Sequence, residues 1–210
     1  TVTRKSFSGE TNEYARFDAA RKKAIVSFTE LYIEATEKLG NNEADLFKTH
    51  RLMAEDLDFE DLIRANIAKN QVAEDAVANA SKELAKMFGA LDDSYMRARA
   101  ADVIEVGQTI INILLGVDKI PNITKPSILI CNDLPASALM KFNTKLLKGL
   151  VLLKGNVNSH VSIFARTLEL PTIVAVDDLE LSNSLNNKMA VVDATKGTII
   201  LKPPLINMMI

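Results

Sequence analysis

The hydrophobic rhythm of the chain changes near residue 117. Before that point, apolar residues recur at spacings of three and four, the period of a helix buried on one side. Residues 11–39 place Phe17, Ile25, Phe28, Tyr32 and Ala35 on one stripe, and Gly40 stops the pattern. Asn42 with Asp45 three residues on reads as a capping pair for a shorter helix to about Ala54. A third stretch covers about 60–69, with Ile63 and Ile67 four apart, and a fourth runs over about 72–88 to Gly89. After the cap signal Asp92-Asp93, the residues Met96, Ala100, Val103, Gly107, Ile110 and Leu114 alternate at three and four. That is the seam of a helix lying against other helices. The sum is a helical bundle.

Beyond residue 117 the pattern shortens, and all six prolines occur from Pro121 onward. Short β-branched runs predict strands at 127–130, 149–153, 172–176, 189–193 and 198–201. The last two flank Lys196-Gly197, a hairpin signal. Residues 136–144 and 161–168 read as helices between strands. This part is a small α/β domain. The expected division is a helical part over 10–117 and an α/β part over 118–206.

Composition narrows the function classes. The chain has 210 residues, 48% of them hydrophobic and 25% charged, with net charge -2. Nothing here gives an electrostatic case for nucleic acid or for an anionic membrane surface. Cys131 is the single cysteine, so no internal disulfide and no cysteine metal motif is possible. A reducing, cytoplasmic setting fits that usage. No apolar run approaches the roughly 20 residues of a membrane span. Residues 1–9 carry no apolar core of a secretory signal, and the first residue is not Met, so a piece of a longer protein is expected.

Candidate chemistry concentrates in Gly155-Asn156-Val157-Asn158-Ser159-His160-Val161-Ser162-Ile163-Phe164-Ala165-Arg166. A strand leads into a short polar loop, and an amphipathic helix follows. His160 falls at the N-terminus of that helix, just after Ser159. Backbone N–H groups and the positive end of the helix dipole gather there, which suits a phosphate. A neutral imidazole is a competent nucleophile. Arg166, six residues on, is nearly two turns away and can face the same loop. A histidine at a helix start is also a common surface residue, so the local pattern alone leaves both readings open. No Walker loop, zinc motif or serine triad order competes with it.

This segment resembles the phosphohistidine signature of Enzyme I of the bacterial sugar phosphotransferase system, Gly-Gly-x-Thr-Ser-His-x-Ser/Ala-Ile-x-Ala-Arg. Gly155, Ser159, His160, Ser162, Ile163, Ala165 and Arg166 match, and Leu168-Glu169-Leu170-Pro171-x-Ile173-Val174 continues the likeness. Upstream, Leu91-Asp92-Asp93-x-Tyr95-Met96 and Arg99-Ala100-Ala101-Asp102-Val103 are similar to an Enzyme I helix. Phe47, His50, Glu55 and Asp56 also fall where that family has the same residue types. The likeness covers about residues 14–205.

The resemblance implies a swivelling β/β/α phosphohistidine domain, α+β or α/β in class, with an inserted or preceding four-helix subdomain. It implies that His160 accepts a phosphoryl group and passes it to the small phosphocarrier HPr. Gly155, Asn158, Ser159, Arg166 and Ser137 are the expected loop supports. The expected carrier-binding surface on the helical part is His50, Leu52, Met53, Asp56, Asp58, Phe88, Met96 and Arg99. No cofactor or metal is expected on this chain. Phosphoenolpyruvate and Mg2+ belong to a C-terminal domain, acting in cis or in trans. Three features depart from the pattern. Asn156, Val157 and Asn158 replace Gly, Arg and Thr; Pro135 stands where a Thr would hydrogen-bond the active histidine; and the usual opening strand is not recognisable in residues 1–9. They keep two alternatives in view: a non-catalytic paralogue that binds the carrier in a regulatory role, and a phosphoryl carrier outside sugar transport.

Overall fold

The computed structural model describes residues 6–117, 120 and 122–201. Residues 202–206 of the expected α/β part, and the chain start through residue 5, lie outside the described residues. The chain divides into two compact units between Lys119 and Ile120.

Among the described residues the first unit has five helices: α1 (Glu10–Leu39), α2 (Asn41–Glu55), α3 (Leu57–Ile67), α4 (Ala73–Gly89) and α5 (Ser94–Leu115). Helix α1 packs against α2 and α5, and α4 against α3 and α5. The stripe of α1 is Phe17, Ala20, Ala24, Phe28, Leu31, Ala35 and Leu39, all buried, while Ile25 and Tyr32 flank it half-buried. On α5, Val103, Val106 and Ile110 are buried. Gly107 faces Ser81 of α4 so closely that any side chain there would overlap its hydroxyl.

One local expectation changes. The cap of α2 is Gly40, with φ 95°, and not Asn42, which lies in the first turn. Gly40 serves both helices: its N–H bonds Thr36 O to close α1, and its carbonyl accepts Ala44 N to start α2. The Asp93 cap holds as read, Oδ1 accepting from Met96 N at 3.2 Å.

The second unit holds a parallel sheet ordered β1 (Ser127–Cys131), β2 (Leu147–Leu152), β3 (Thr172–Ile173). Two helices serve it, α6 (Ala136–Met140) and α7 (His160–Thr167), and they pack on one another. An antiparallel hairpin, β4 (Ala190–Asp193) and β5 (Thr198–Leu201), turns through Gly197 at φ 63°. The core is Leu150, Val151 and Leu152 of β2 with Leu139, Met140, Val161 and Phe164 of the helices. The expected strand 172–176 shrinks to two residues: Ala175 takes φ 57° and interrupts the ladder, and Val176 N returns to β2, at Leu152 O, 3.4 Å. The expected helix 136–144 ends at Met140.

Candidate functional site

The site begins where β2 ends. Gly155 takes φ 104°, a conformation that costs any residue with a Cβ, and turns the chain into the loop. The next four residues form a closed turn: Ser159 N donates to Asn156 O at 3.2 Å, and Asn158 N donates to Asn156 Oδ1 at 2.8 Å. Ser159 is the N-cap of α7, its hydroxyl accepting from Ser162 N at 3.4 Å. The Ser162 hydroxyl, buried under the turn, donates to Asn156 O at 2.8 Å. Arg166 Nη2 reaches back from the second turn of α7 to Val157 O at 3.2 Å.

His160 is therefore the first residue of a helix whose entry is fixed by the side chains of Asn156, Ser159, Ser162 and Arg166, and it is exposed. The apolar side of α7, Val161, Phe164 and Ala165, is buried and anchors the helix from beneath. The result is a solvent-facing imidazole on a rigid mount, with the helix N-terminus and the Arg166 guanidinium both addressing one loop. That arrangement favours an anion arriving at the ring. A cleft of about 640 Å³ opens beside the loop, between Val157 and Arg166 on one side and Val191 and Asp193 on the other.

Each expected residue has a definite place. Gly155, Asn158, Ser159 and Arg166 come together in the loop around His160. Ser137 is buried on α6, the helix packed against α7. Asn156 and Ser162 also belong to the loop's hydrogen-bond frame; the sequence marks Ser162 only as a motif match and Asn156 only as a departure, since no periodic signal assigns them a supporting role.

In the helical unit one expectation is overturned. His50 is not on a surface: it is fully buried, edge-on to Phe28 at 5.4 Å and to Phe47 at 6.1 Å. Its Nε2 lies 3.6 Å from Asp102 Oδ1, and Arg99 binds the other oxygen of Asp102 at 3.0 Å. A side chain sealed in the core cannot touch a partner. The others remain accessible: Leu52, Asp56 and Asp58 are exposed, and Met53, Phe88, Met96 and Arg99 are half-buried. Asp56 also caps α3, accepting from Phe59 N at 3.0 Å. Leu57, 71% exposed, lies between Asp56 and Asp58 in the chain and stands outside the buried stripe of Phe59, Ile63 and Ile67.

Among the described residues, no group of three or more His, Cys, Asp or Glu side chains is placed to hold a metal ion. No described helix is long and apolar enough to cross a membrane.

Comparison with known proteins gives a consistent result. Residues 3–99 match the family "PEP-utilising enzyme, N-terminal", and residues 123–197 match "PEP-utilising enzyme, mobile domain". The chain is 31% identical over 207 residues to the phosphoenolpyruvate-protein phosphotransferase of Bacillus subtilis, covering 97% of this chain and 36% of that protein. It is 33% identical over 198 residues to the protein of the same name from Geobacillus stearothermophilus, covering 91% and 33%. It thus spans about a third of the length of these relatives. Among solved structures, an NMR structure of Enzyme I superposes with TM-score 0.75 at 25% identity, covering 97% of this chain and 83% of that one. The N-terminal domain of Enzyme 1 - Nitrogen superposes with TM-score 0.71, also at 25% identity, covering 97% and 84%.

Proposed function

Because the chain belongs to the phosphoenolpyruvate-utilising enzymes, we propose that it is the phosphohistidine-bearing part of an Enzyme I-type phosphotransferase, with His160 as acceptor. The observation that carries the reading is the exposed imidazole at the start of α7, inside the segment that matches the mobile domain.

The chemistry is a pair of in-line displacements. A ring nitrogen of His160 attacks the phosphorus of the donor, an N–P bond forms, and the bond from phosphorus to the donor's oxygen breaks. With phosphoenolpyruvate as donor the leaving group is the enolate, which takes up a proton to become pyruvate. In the second step a ring nitrogen of the carrier HPr attacks the same phosphorus and the His160 N–P bond breaks. Such transfers ask the protein mainly for positioning and charge stabilisation. The fixed entry of α7 supplies the first. The helix N-terminus and Arg166 supply the second.

The helical unit then serves as the carrier dock, through Leu52, Met53, Asp56, Asp58, Phe88, Met96 and Arg99, an apolar centre with charged neighbours. Phosphoenolpyruvate and its magnesium sit on a further domain, in cis or in trans, in this reading. The setting is cytoplasmic sugar phosphotransfer, upstream of the choice of sugar.

The test is intact-mass spectrometry of the chain after mixing with phosphorylated HPr, with His160→Ala as control. The expected result is a gain of one acid-labile phosphoryl group that the variant does not show. No gain while HPr still binds would overturn the acceptor role and leave a carrier-binding regulator.

A further inference from the structure

Four hydrogen bonds of the loop before His160 meet at one residue, Asn156. Asn156 O accepts from Ser159 N at 3.2 Å and from Ser162 Oγ at 2.8 Å, and it lies 2.9 Å from Ser159 Oγ. The side chain of the same residue accepts from Asn158 N at 2.8 Å. One residue thus fixes the turn from within and ties it to the buried hydroxyl of Ser162 beneath it. Unlike Gly155 before it, Asn156 is outside the left-handed region, so its backbone needs no glycine and a side chain fits without strain. Any residue at 156 supplies the carbonyl; where the pattern has Gly, the Asn side chain adds the bond from Asn158 N at 2.8 Å. A two-residue-on bond from an Asn side chain substitutes for a backbone turn and removes freedom from the loop.

We infer that Asn156 is a positioning residue for His160, setting the imidazole at the start of α7 through the turn it closes. The inference rests on His160 being the phosphoryl acceptor. His160 follows the turn directly, so loosening residues 156–159 displaces the ring from the line of attack. Displacements of this kind cost on the order of 100-fold in rate when they reach about 1 Å.

The experiment uses the 210-residue chain as wild type, Asn156→Ala and Asn156→Ser, with phosphorylated HPr as donor. Serine keeps a short oxygen able to accept from the N–H two residues on, though more weakly. For Asn156→Ala the rate constant of phosphoryl uptake should fall roughly 10- to 100-fold. The KM for phosphorylated HPr and the melting temperature should stay unchanged. Asn156→Ser should recover most of the rate. The His160 ring resonances, followed by NMR, should shift and broaden in Asn156→Ala and return toward wild type in Asn156→Ser. Wild-type uptake in Asn156→Ala, or a serine variant no better than alanine, overturns the inference. If wild type takes up no phosphoryl group but its ring resonances still respond to Asn156→Ala and not to Asn156→Ser, the acceptor reading fails and the positioning role stands. If neither rate nor resonance responds, the positioning role fails.

Discussion

The two histidines of this chain occupy opposite environments. His50 is sealed between Phe28 and Phe47 in the helical unit, whereas His160 stands in solvent at the head of α7 in the α/β unit. The same contrast extends to the polar groups around them. The helical unit buries charge: Glu13 and Glu74 are both sealed and share Arg16 between α1 and α4, and Asp102 is sealed between Arg99 and His50. The α/β unit gathers hydrogen bonds into a loop beside its one exposed imidazole. Buried polar groups fix how helices meet, at a cost that only complete satisfaction offsets. Polar groups in a surface loop fix where a reactive atom sits. One unit uses its polar residues for architecture; in the proposed function the other uses them for chemistry.

The sharpest way to break that contrast is to exchange the effects of the two histidines. His50→Ala removes a ring that touches two phenylalanines and leaves a cavity, which costs about 3 kcal/mol. Helical unfolding followed by circular dichroism should move to lower temperature, while the folded chain still takes up a phosphoryl group. His160→Ala should do the reverse, with phosphoryl uptake lost and the melting temperature unchanged. A His50→Ala chain that folds normally but no longer accepts phosphate would place His50 in the chemistry and end the division of labour.

The buried carboxylate of α1 gives a second, pH-dependent test. Glu13 accepts from the Ser8 hydroxyl at 2.6 Å, Ser8 N at 3.2 Å, Ala73 N at 2.9 Å and Arg16 Nη1 at 2.6 Å. Burial alone pushes its acidity toward the neutral form, but the Ser8 and Ala73 hydrogen bonds and the Arg16 charge outweigh it and hold the group below the ordinary 4.5. A carboxyl lowered on folding stabilises the fold above its unfolded value, and that contribution is lost as pH falls through the lowered one. Stability of the helical unit should therefore decline below about pH 4.5. Glu13→Gln should cost about 2–3 kcal/mol at neutral pH, since it strips one partner from a buried charged network. It should also flatten the acid limb of a denaturation series. An unchanged acid limb would show that Glu13 does not hold α1 to α4.

How far the sequence reaches depends on which kind of signal each unit carries. The helices of the first unit are legible because their buried faces repeat at three and four, and glycine punctuates them. The error at the start of α2 came from assigning Gly40 only to the end of α1, when its φ of 95° lets it also open the next helix. The buried stripe of α2, Ala44, Phe47, His50 and Ala54, keeps helical spacing too. The burial of His50 was therefore readable, and the likeness to a carrier-binding surface drew it outward instead. In the second unit, a proline and a β-branched run at 171–174 looked like a full strand, but Ala175 turns left-handed and interrupts it. His160 and its cap could be read from the loop-to-helix transition. The role of Asn156 could not, because which donors converge on one carbonyl depends on the folded turn and leaves no periodic trace.

The smallest effect tests how tightly the helical unit is packed for its architectural role. Gly107 sits on α5 with no special backbone requirement, so helix propensity alone predicts that Gly107→Ala gains about 1 kcal/mol. The packing predicts the opposite. An added Cβ would overlap the Ser81 hydroxyl of α4 and lie 3.7 Å from Val77 Cγ1. Ser81 is itself buried and bonded to Val77 O at 2.8 Å, so it has little room to move. Overpacking a helix seam costs about 1–3 kcal/mol. The net should be a loss of about 1 kcal/mol, read as a drop of roughly 5 °C in the helical transition. Ser81→Gly in the same chain removes the overlapping hydroxyl and Cβ, and the pair should recover most of the loss. If Gly107→Ala instead raises the melting temperature, propensity outweighs packing there and α4 and α5 can part without cost. The helical unit would then be looser than its buried charges require.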